Sequence, residues 1–422
     1  AITAWLKSNK TISKKVHYSS HLEPGEAEHK IFDYIRKDQY VKGSGAHIIY
    51  GADNDLYILT LLCKESNMYL YKDDFKTLYN MNNAKKQTLD FMKFEGCDES
   101  KLLVDFSILI TFAGNDFLPQ FPNISSSIGS LDIVLSIYKQ NKIHLHTNDN
   151  NINWKGILML FRKINKHTIN KEDLYITGWD LAYPYKEIRD STIIKNIYGK
   201  PVDEVYDSSK HYRSFDLEKF SKLWYNKQFV PRCTKLKKLY KKHKYYDEDD
   251  IENMCLQYLQ TIQWCHLYYT EGLKCVSNYH FYNYDYLPLT VDIETYLDNL
   301  SNKQKLEDVR YKEGEDFNSL EQLMMVLPPQ SLDLIPEDYH QIYRDHLNSV
   351  NPVDFPELLT EGTNAAHHQL LIIPHIDIEL IKYIFESNNI KLPTYMKKKE
   401  SLIIENKEKI IFDLNISKNY LM

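Results

Sequence analysis

No CxxC pair occurs in this chain, and its six cysteines (Cys63, Cys97, Cys233, Cys255, Cys265 and Cys275) follow no regular spacing. That scatter excludes a disulfide scaffold and a zinc-finger framework, and it fits reduced thiols in an intracellular protein. Of the two main compartments, a cytoplasmic setting is expected ahead of a nuclear one. No apolar run reaches the roughly 18 residues needed to cross a bilayer, and the opening AITAWLKSNK has no signal-peptide core, so no membrane partner is expected. An initiator Met is missing as well, and the chain is expected to begin inside a longer protein. Glycine is scarce at 13 residues, which argues against low complexity and long disordered stretches. Positive charge is not in excess either: the net charge of −6 rules out a surface coated in basic residues. Carboxylates gathered in one site would, however, hide a local basic groove from that sum.

What the chain has is length, apolar segments and tyrosine. Its 422 residues can bury a large core, and 43% hydrophobic with 26% charged residues is the balance of a globular protein. The 33 tyrosines are read as packing residues rather than as stacking platforms. Four stretches differ in character. Residues 1–165 carry acidic clusters among apolar segments, and 166–250 are polar and charged, with KLKKLYKKHK answered by an acidic run. Residues 251–395 return to apolar helices and an aromatic stretch, and 396–422 form a Lys- and Ile-rich tail.

Five carboxylates in the first stretch stand at the edges of apolar elements: Glu26 and Glu28, Asp53 and Asp55, and Asp116. Crowded acids oppose folding unless cations neutralise them, and magnesium, with its preference for oxygen ligands, is the natural neutraliser. EAEHKIFDYIR predicts a helix over 26–36 with Ile31, Tyr34 and Ile35 on its apolar face. AHIIY at 46–50 reads as a buried parallel strand, GADND as an acidic turn, and LYILTLLCK as the helix after it. Ligands collect at the carboxyl ends of strands in such sheets, which is where Asp53 and Asp55 fall. A further apolar element over 104–113 stops at Gly114, with Asp116 just beyond; Gly114 serves equally as a helix stop or as a close approach for a phosphate. Helices are predicted over 130–140 and 154–164, around Trp264 and His266 as core residues, and over FNSLEQLMMVLP. Tyr279, Phe281, Tyr282, Tyr284 and Tyr286 make the most aromatic stretch.

The strings PGEAEHKIFDYIR, YGADNDL and GNDFLP, in that order, resemble the XRN-type 5′→3′ exoribonucleases, relatives of the FEN-type flap nucleases. The resemblance continues through QYLQTIQWCHLYY, NYHFYNYDYLP, FNSLEQLMMVLPPQSLDLIP and LLIIPHID, segments that flap nucleases lack. It implies an α/β fold: a PIN/FEN-like nuclease core with a mainly parallel sheet, wrapped by a largely helical second conserved region. It also implies that Glu26, Glu28, Asp53, Asp55 and Asp116 are catalytic metal ligands for two Mg²⁺ or Mn²⁺ ions. Single-stranded RNA with a 5′-monophosphate would be degraded to nucleoside 5′-monophosphates. Gly114 and Lys139 would contact the RNA backbone, and His367 or His368 would stand near the family's base-stacking Trp, which this chain lacks. The family's opening segment, with two further metal-binding aspartates and a basic 5′-phosphate pocket, has no match in residues 1–20. A missing N-terminal segment or a second chain would then complete the active site. Two alternatives stay open, an inactive XRN-like scaffold or RNA-binding module and a FEN-type DNA flap nuclease.

Overall fold

A computed structural model describes residues 16–18, 26–36, 45–72, 76–119, 121, 130–170, 221, 225, 248–277, 280–284, 287–311, 319–347, 378–388 and 410–412. The chain divides into two compact units, one made of residues 1–43 with 385–422, the other of residues 44–384.

In the smaller unit, β1 (Val16–Tyr18) pairs antiparallel with a strand from the other end of the chain, Ile410–Phe412. The Lys- and Ile-rich tail thus contributes a ladder. The helix α1 spans Ala27–Arg36, one residue shorter than predicted, with Glu26 just ahead of its first turn. Its buried residues are His29, Phe32 and Ile35, whereas Ile31 is exposed and Tyr34 half-buried. The predicted apolar face is therefore rotated by about one residue, because burying Phe32 removes more apolar area than burying Ile31.

The larger unit opens with β2 (His47–Tyr50), α2 (Asp55–Leu62) and β3 (Met68–Lys72), the last parallel to β2. The first strand, turn and helix are those the sequence predicts, whereas β3 is an addition to that reading and β2, expected to be buried, buries only Ile49. β4 (Thr77–Asn80) returns antiparallel to β3 after a connection too short for a crossover. Among the described residues the sheet order is β2-β3-β4, one parallel and one antiparallel ladder. The expectation of a mainly parallel sheet is thus corrected to a small mixed one in a mostly helical unit. Successive strand residues point to opposite faces, so Ile49, Met68, Leu70 and Lys72 are buried, while Ile48 and Tyr50 remain 60% and 65% exposed.

Helices follow: α3 (Met81–Met92), α4 (Glu99–Thr111), α5 (Ser130–Asn141), α6 (Trp154–Asn170) and α7 (Glu248–Thr270). Asn80 caps α3 by accepting from the amides of Asn82 and Asn83, and Asp98 caps α4 by accepting from Ser100 N–H at 3.0 Å. α7 starts with Glu248, Asp249 and Asp250, negative charge where the helix dipole favours it. It then buries residues on several sides, including Trp264 and His266, as a central helix must. α8 (Thr290–Asn302) packs on α6, and α7 packs on α2 and α4. Phe112, Phe121, Phe161 and Tyr258 meet with ring centroids 4.9 to 6.1 Å apart, tying α4, α6 and α7 into one aromatic core. Tyr225 accepts from Leu289 N–H at 2.7 Å and donates to Asp292 at 2.5 Å beside α8. α9 (Ser319–Val326) ends before Pro328 as predicted, and α10 spans Ile378–Ser387.

Candidate active site

The carboxyl ends of the parallel strands β2 and β3 lie side by side, with Tyr50 in register with Tyr71. Just beyond β2 the chain makes the Gly51–Asn54 turn, and beneath it lies a cavity of about 840 Å³. Asp53, Asp55, Gly114 and Asp116 all line that cavity, so the structure brings together two of the three predicted acidic clusters. Local chemistry sets the turn. Asp53 accepts the Asp55 amide at 2.9 Å, stopping the strand and starting α2. Asp53 makes no other hydrogen bond among the described residues, and Asp116 is exposed with no partner among them.

The Asp116 loop closes on itself. Asn115 accepts from the amides of Phe117 and Leu118 at 3.0 and 2.9 Å, and its own amide donates to Leu118 O at 3.0 Å. Gly114 adopts φ +89°, a conformation that side chains disfavour, and its amide donates to Thr111 O, so the glycine both ends α4 and opens the loop onto the cavity. From the other side α7 holds both acidic segments. Tyr269 donates to Asp55 Oδ1 at 3.0 Å, and Phe117 packs edge-on against Trp264 and Tyr268 at 4.7 and 4.9 Å. Burial, then the Asp55 charge, pushes the Tyr269 hydroxyl well above its ordinary range, so it stays a donor.

Glu26 and Glu28 belong to the smaller unit, where Glu28 occupies the first turn of α1. Lys139, on α5, lies with its ammonium 5.2 Å from the centre of the Phe91 ring and does not line the cavity. His367, His368, Tyr279 and Tyr286 lie outside the described residues. Of the aromatic stretch, Tyr282 is buried and Phe281 exposed.

Sequence reasoning missed Lys72, Tyr269 and Asp105. Lys72 ends β3 on its buried face and donates to Asn54 Oδ1 at 2.5 Å within the cavity. Asp105, fully buried in α4, accepts from Tyr138 Oη (2.6 Å), His144 Nδ1 (2.7 Å), His146 Nδ1 (2.8 Å) and Leu145 N–H (2.9 Å). Four donors on one carboxylate fasten α4 to α5 and to the following turn. A lone acid inside the apolar string VDFSILI was the available signal, since such an acid demands partners.

The acidic side chains of the cavity, Asp53, Asp55 and Asp116, offer oxygen ligands, a set suited to a hard divalent cation. Among the described residues no three His, Cys, Asp or Glu side chains converge closely enough to hold an ion by themselves. Magnesium tolerates that arrangement, because it keeps several waters and takes only one or two carboxylates. Also among the described residues, no helix is long and apolar enough to cross a membrane.

Two family models match this chain. The one described as the XRN 5′-3′ exonuclease N-terminus covers residues 2–74, and the Xrn1 helical domain covers residues 232–405. The chain belongs to the XRN family. Glu26, Glu28, Asp53, Asp55 and Lys72 fall in the first matched region, Tyr269 in the second, and Asp116 between them. XRN relatives include the 5′-3′ exoribonuclease 1 of Schizosaccharomyces pombe, 25% identical over 86% of this chain and 35% of its own length. The Homo sapiens 5′-3′ exoribonuclease 1 is 22% identical over 91% of this chain and 25% of its own, and the Drosophila melanogaster 5′-3′ exoribonuclease 2 homolog 23% over 86% and 48%. The chain therefore spans between a quarter and half of the length of these relatives.

Proposed function

We propose that this XRN chain supplies the acidic site of a metal-dependent 5′→3′ exoribonuclease. Its substrate is single-stranded RNA with a 5′-monophosphate, and its product is a nucleoside 5′-monophosphate. The observation that carries this reading is that Asp53, Asp55 and Asp116 line one cavity at the carboxyl ends of parallel strands. Relatives bearing the name 5′-3′ exoribonuclease align over most of the chain and support it.

Asp53, Asp55 and Asp116 would hold Mg²⁺ or Mn²⁺, which when bound supplies charge neutralisation at the phosphate and an activated water. The ligand role of Glu26 and Glu28, and a count of two ions, rest on the XRN sequence pattern. The chain's own residues do the positioning. Tyr269 fixes one oxygen of Asp55, the closed Asn115 loop fixes Asp116, and Gly114 leaves room for a backbone phosphate. The Asp53 carboxylate, tied by one oxygen to the Asp55 amide, keeps the other for a cation.

The full-length gene product should release mononucleotides from 5′-monophosphorylated RNA in Mg²⁺, lose this activity in EDTA and regain it on adding Mg²⁺. The Asp53→Ala, Asp55→Ala double variant should lose at least a thousandfold in rate, about 4 kcal/mol of barrier. A second reading, an XRN-like scaffold that binds RNA without turnover, draws on the lack of three converging metal-ligating groups among the described residues. RNA binding with no turnover in the wild type, unchanged in the double variant, would establish that reading instead. A duplex-flap DNA substrate run alongside tests the flap-nuclease alternative.

A further inference from the structure

Among the described residues, the cavity lining includes one cationic side chain, Lys72, that the metal-site reading leaves unexplained. Lys72 is 8% exposed, and its ammonium makes a single polar contact among the described residues, the 2.5 Å bond to the neutral amide oxygen of Asn54. It forms no ion pair with any described carboxylate, although Asp53, Asp55 and Asp116 line the same cavity. A buried ammonium with three donors and, among the described residues, one neutral acceptor and no counter-ion is costly, and a methionine of similar length would pack there at less expense. Its position is specific: Lys72 ends β3 on the inward face after Met68 and Leu70, so the strand aims the amine at the carboxyl end of the sheet. Asn54, the residue ahead of α2, makes no cap bond with its side chain and instead accepts from Lys72. With Asp53 accepting the Asp55 amide at the helix start, the Asn54 side chain is left to hold the amine in place.

We propose that Lys72 is the phosphate-binding cation of this site, its remaining donors directed to a phosphate oxygen of the nucleic acid while the carboxylates serve the metal. Lysine binds phosphate as a compact point charge, and within a cavity of this size the desolvated charge interacts more strongly than it would at the surface. The inference deepens the exonuclease reading by separating the cavity into a metal side and a phosphate side.

The test uses the full-length gene product and three probes in Mg²⁺: adenosine 5′-monophosphate, the dinucleotide ApA without a 5′-phosphate, and adenosine. Lys72→Met should weaken binding of one or both phosphate-bearing probes by tenfold or more and leave adenosine unchanged, and Lys72→Arg should restore most of the loss. The affected probe identifies whether the terminal or the bridging phosphate meets Lys72. In thermal melts without ligand, Lys72→Met should be as stable as wild type or more so, and inorganic phosphate should raise the Tm of wild type more than that of the variant. Equal affinity of wild type and variant for both phosphate probes overturns the proposal, as does an equal loss for adenosine. Because these readouts need no turnover, phosphate-selective binding through Lys72 in a protein that fails to degrade RNA would refute the exonuclease reading alone.

Discussion

A carboxylate's usefulness depends on how few of its rotamers it visits, and the Tyr269 hydroxyl holds one oxygen of Asp55. Tyr269→Phe removes that hydroxyl and little else. We expect kcat/KM on 5′-monophosphorylated RNA to fall about tenfold as Asp55 loses its orientation, and Tm to fall by only a few degrees, since a hydrogen bond to a charged group contributes about 1.5–3 kcal/mol of stability. A drop in Tm matching the drop in rate would show that Tyr269 only supports packing. Asp53, Asp55 and Asp116 were legible in the sequence because acids just outside apolar runs are conspicuous. Tyr269 was not, since one tyrosine among 33 carries no local mark, and its partner lies 214 residues away. Lys72 was hidden for a related reason: at the end of a short strand it reads as a solvated edge charge, and only the pairing with β2 turns it inward.

At the level of elements, β2, α2 and the helices around 27–36, 130–141, 154–170, 248–270 and 319–326 were readable from periodicity, because each one's apolar pattern is local, whereas β3, α3 and α8 were not read from it. Nor were the rotated face of α1 and the mixed sheet, since neighbours decide both. The role of α7 was half legible: Trp264 and His266 were expected in the core, but nothing local shows that the same helix steadies two acidic segments. Phe117 is the contact through which it reaches the Asp116 loop. Phe117→Ala should destabilise the protein by about 2 kcal/mol, as the ring is half-buried, and should lower activity further than that loss of folded protein accounts for. Melting and rates measured on the same preparation check this. Full activity in correctly folded Phe117→Ala protein would show that the loop holds its shape unaided.

For the whole molecule, buried histidines set an acid limit. Burial, first among the causes, lowers both His266 and His280 to about 4 from an ordinary value near 6.5. Their folded pKa values are depressed, so the stability they contribute is fully present above pH 6.5 and drains away as pH falls towards 4. Thermal melts between pH 7.5 and 4.5 should show Tm falling across that window, and His280→Gln should make the fall shallower. Within the larger unit, α4 and α2 come from the first half of the chain and α7 from the second, yet they share one aromatic core and one cavity. A core shared by such distant segments predicts that the unit survives a break in the polypeptide between them. A gene divided between codons 171 and 220, expressed as two open reading frames in one cell, should yield two fragments that co-purify and reconstitute the cavity. Separate, non-associating products would mean that the shared core depends on the covalent connection.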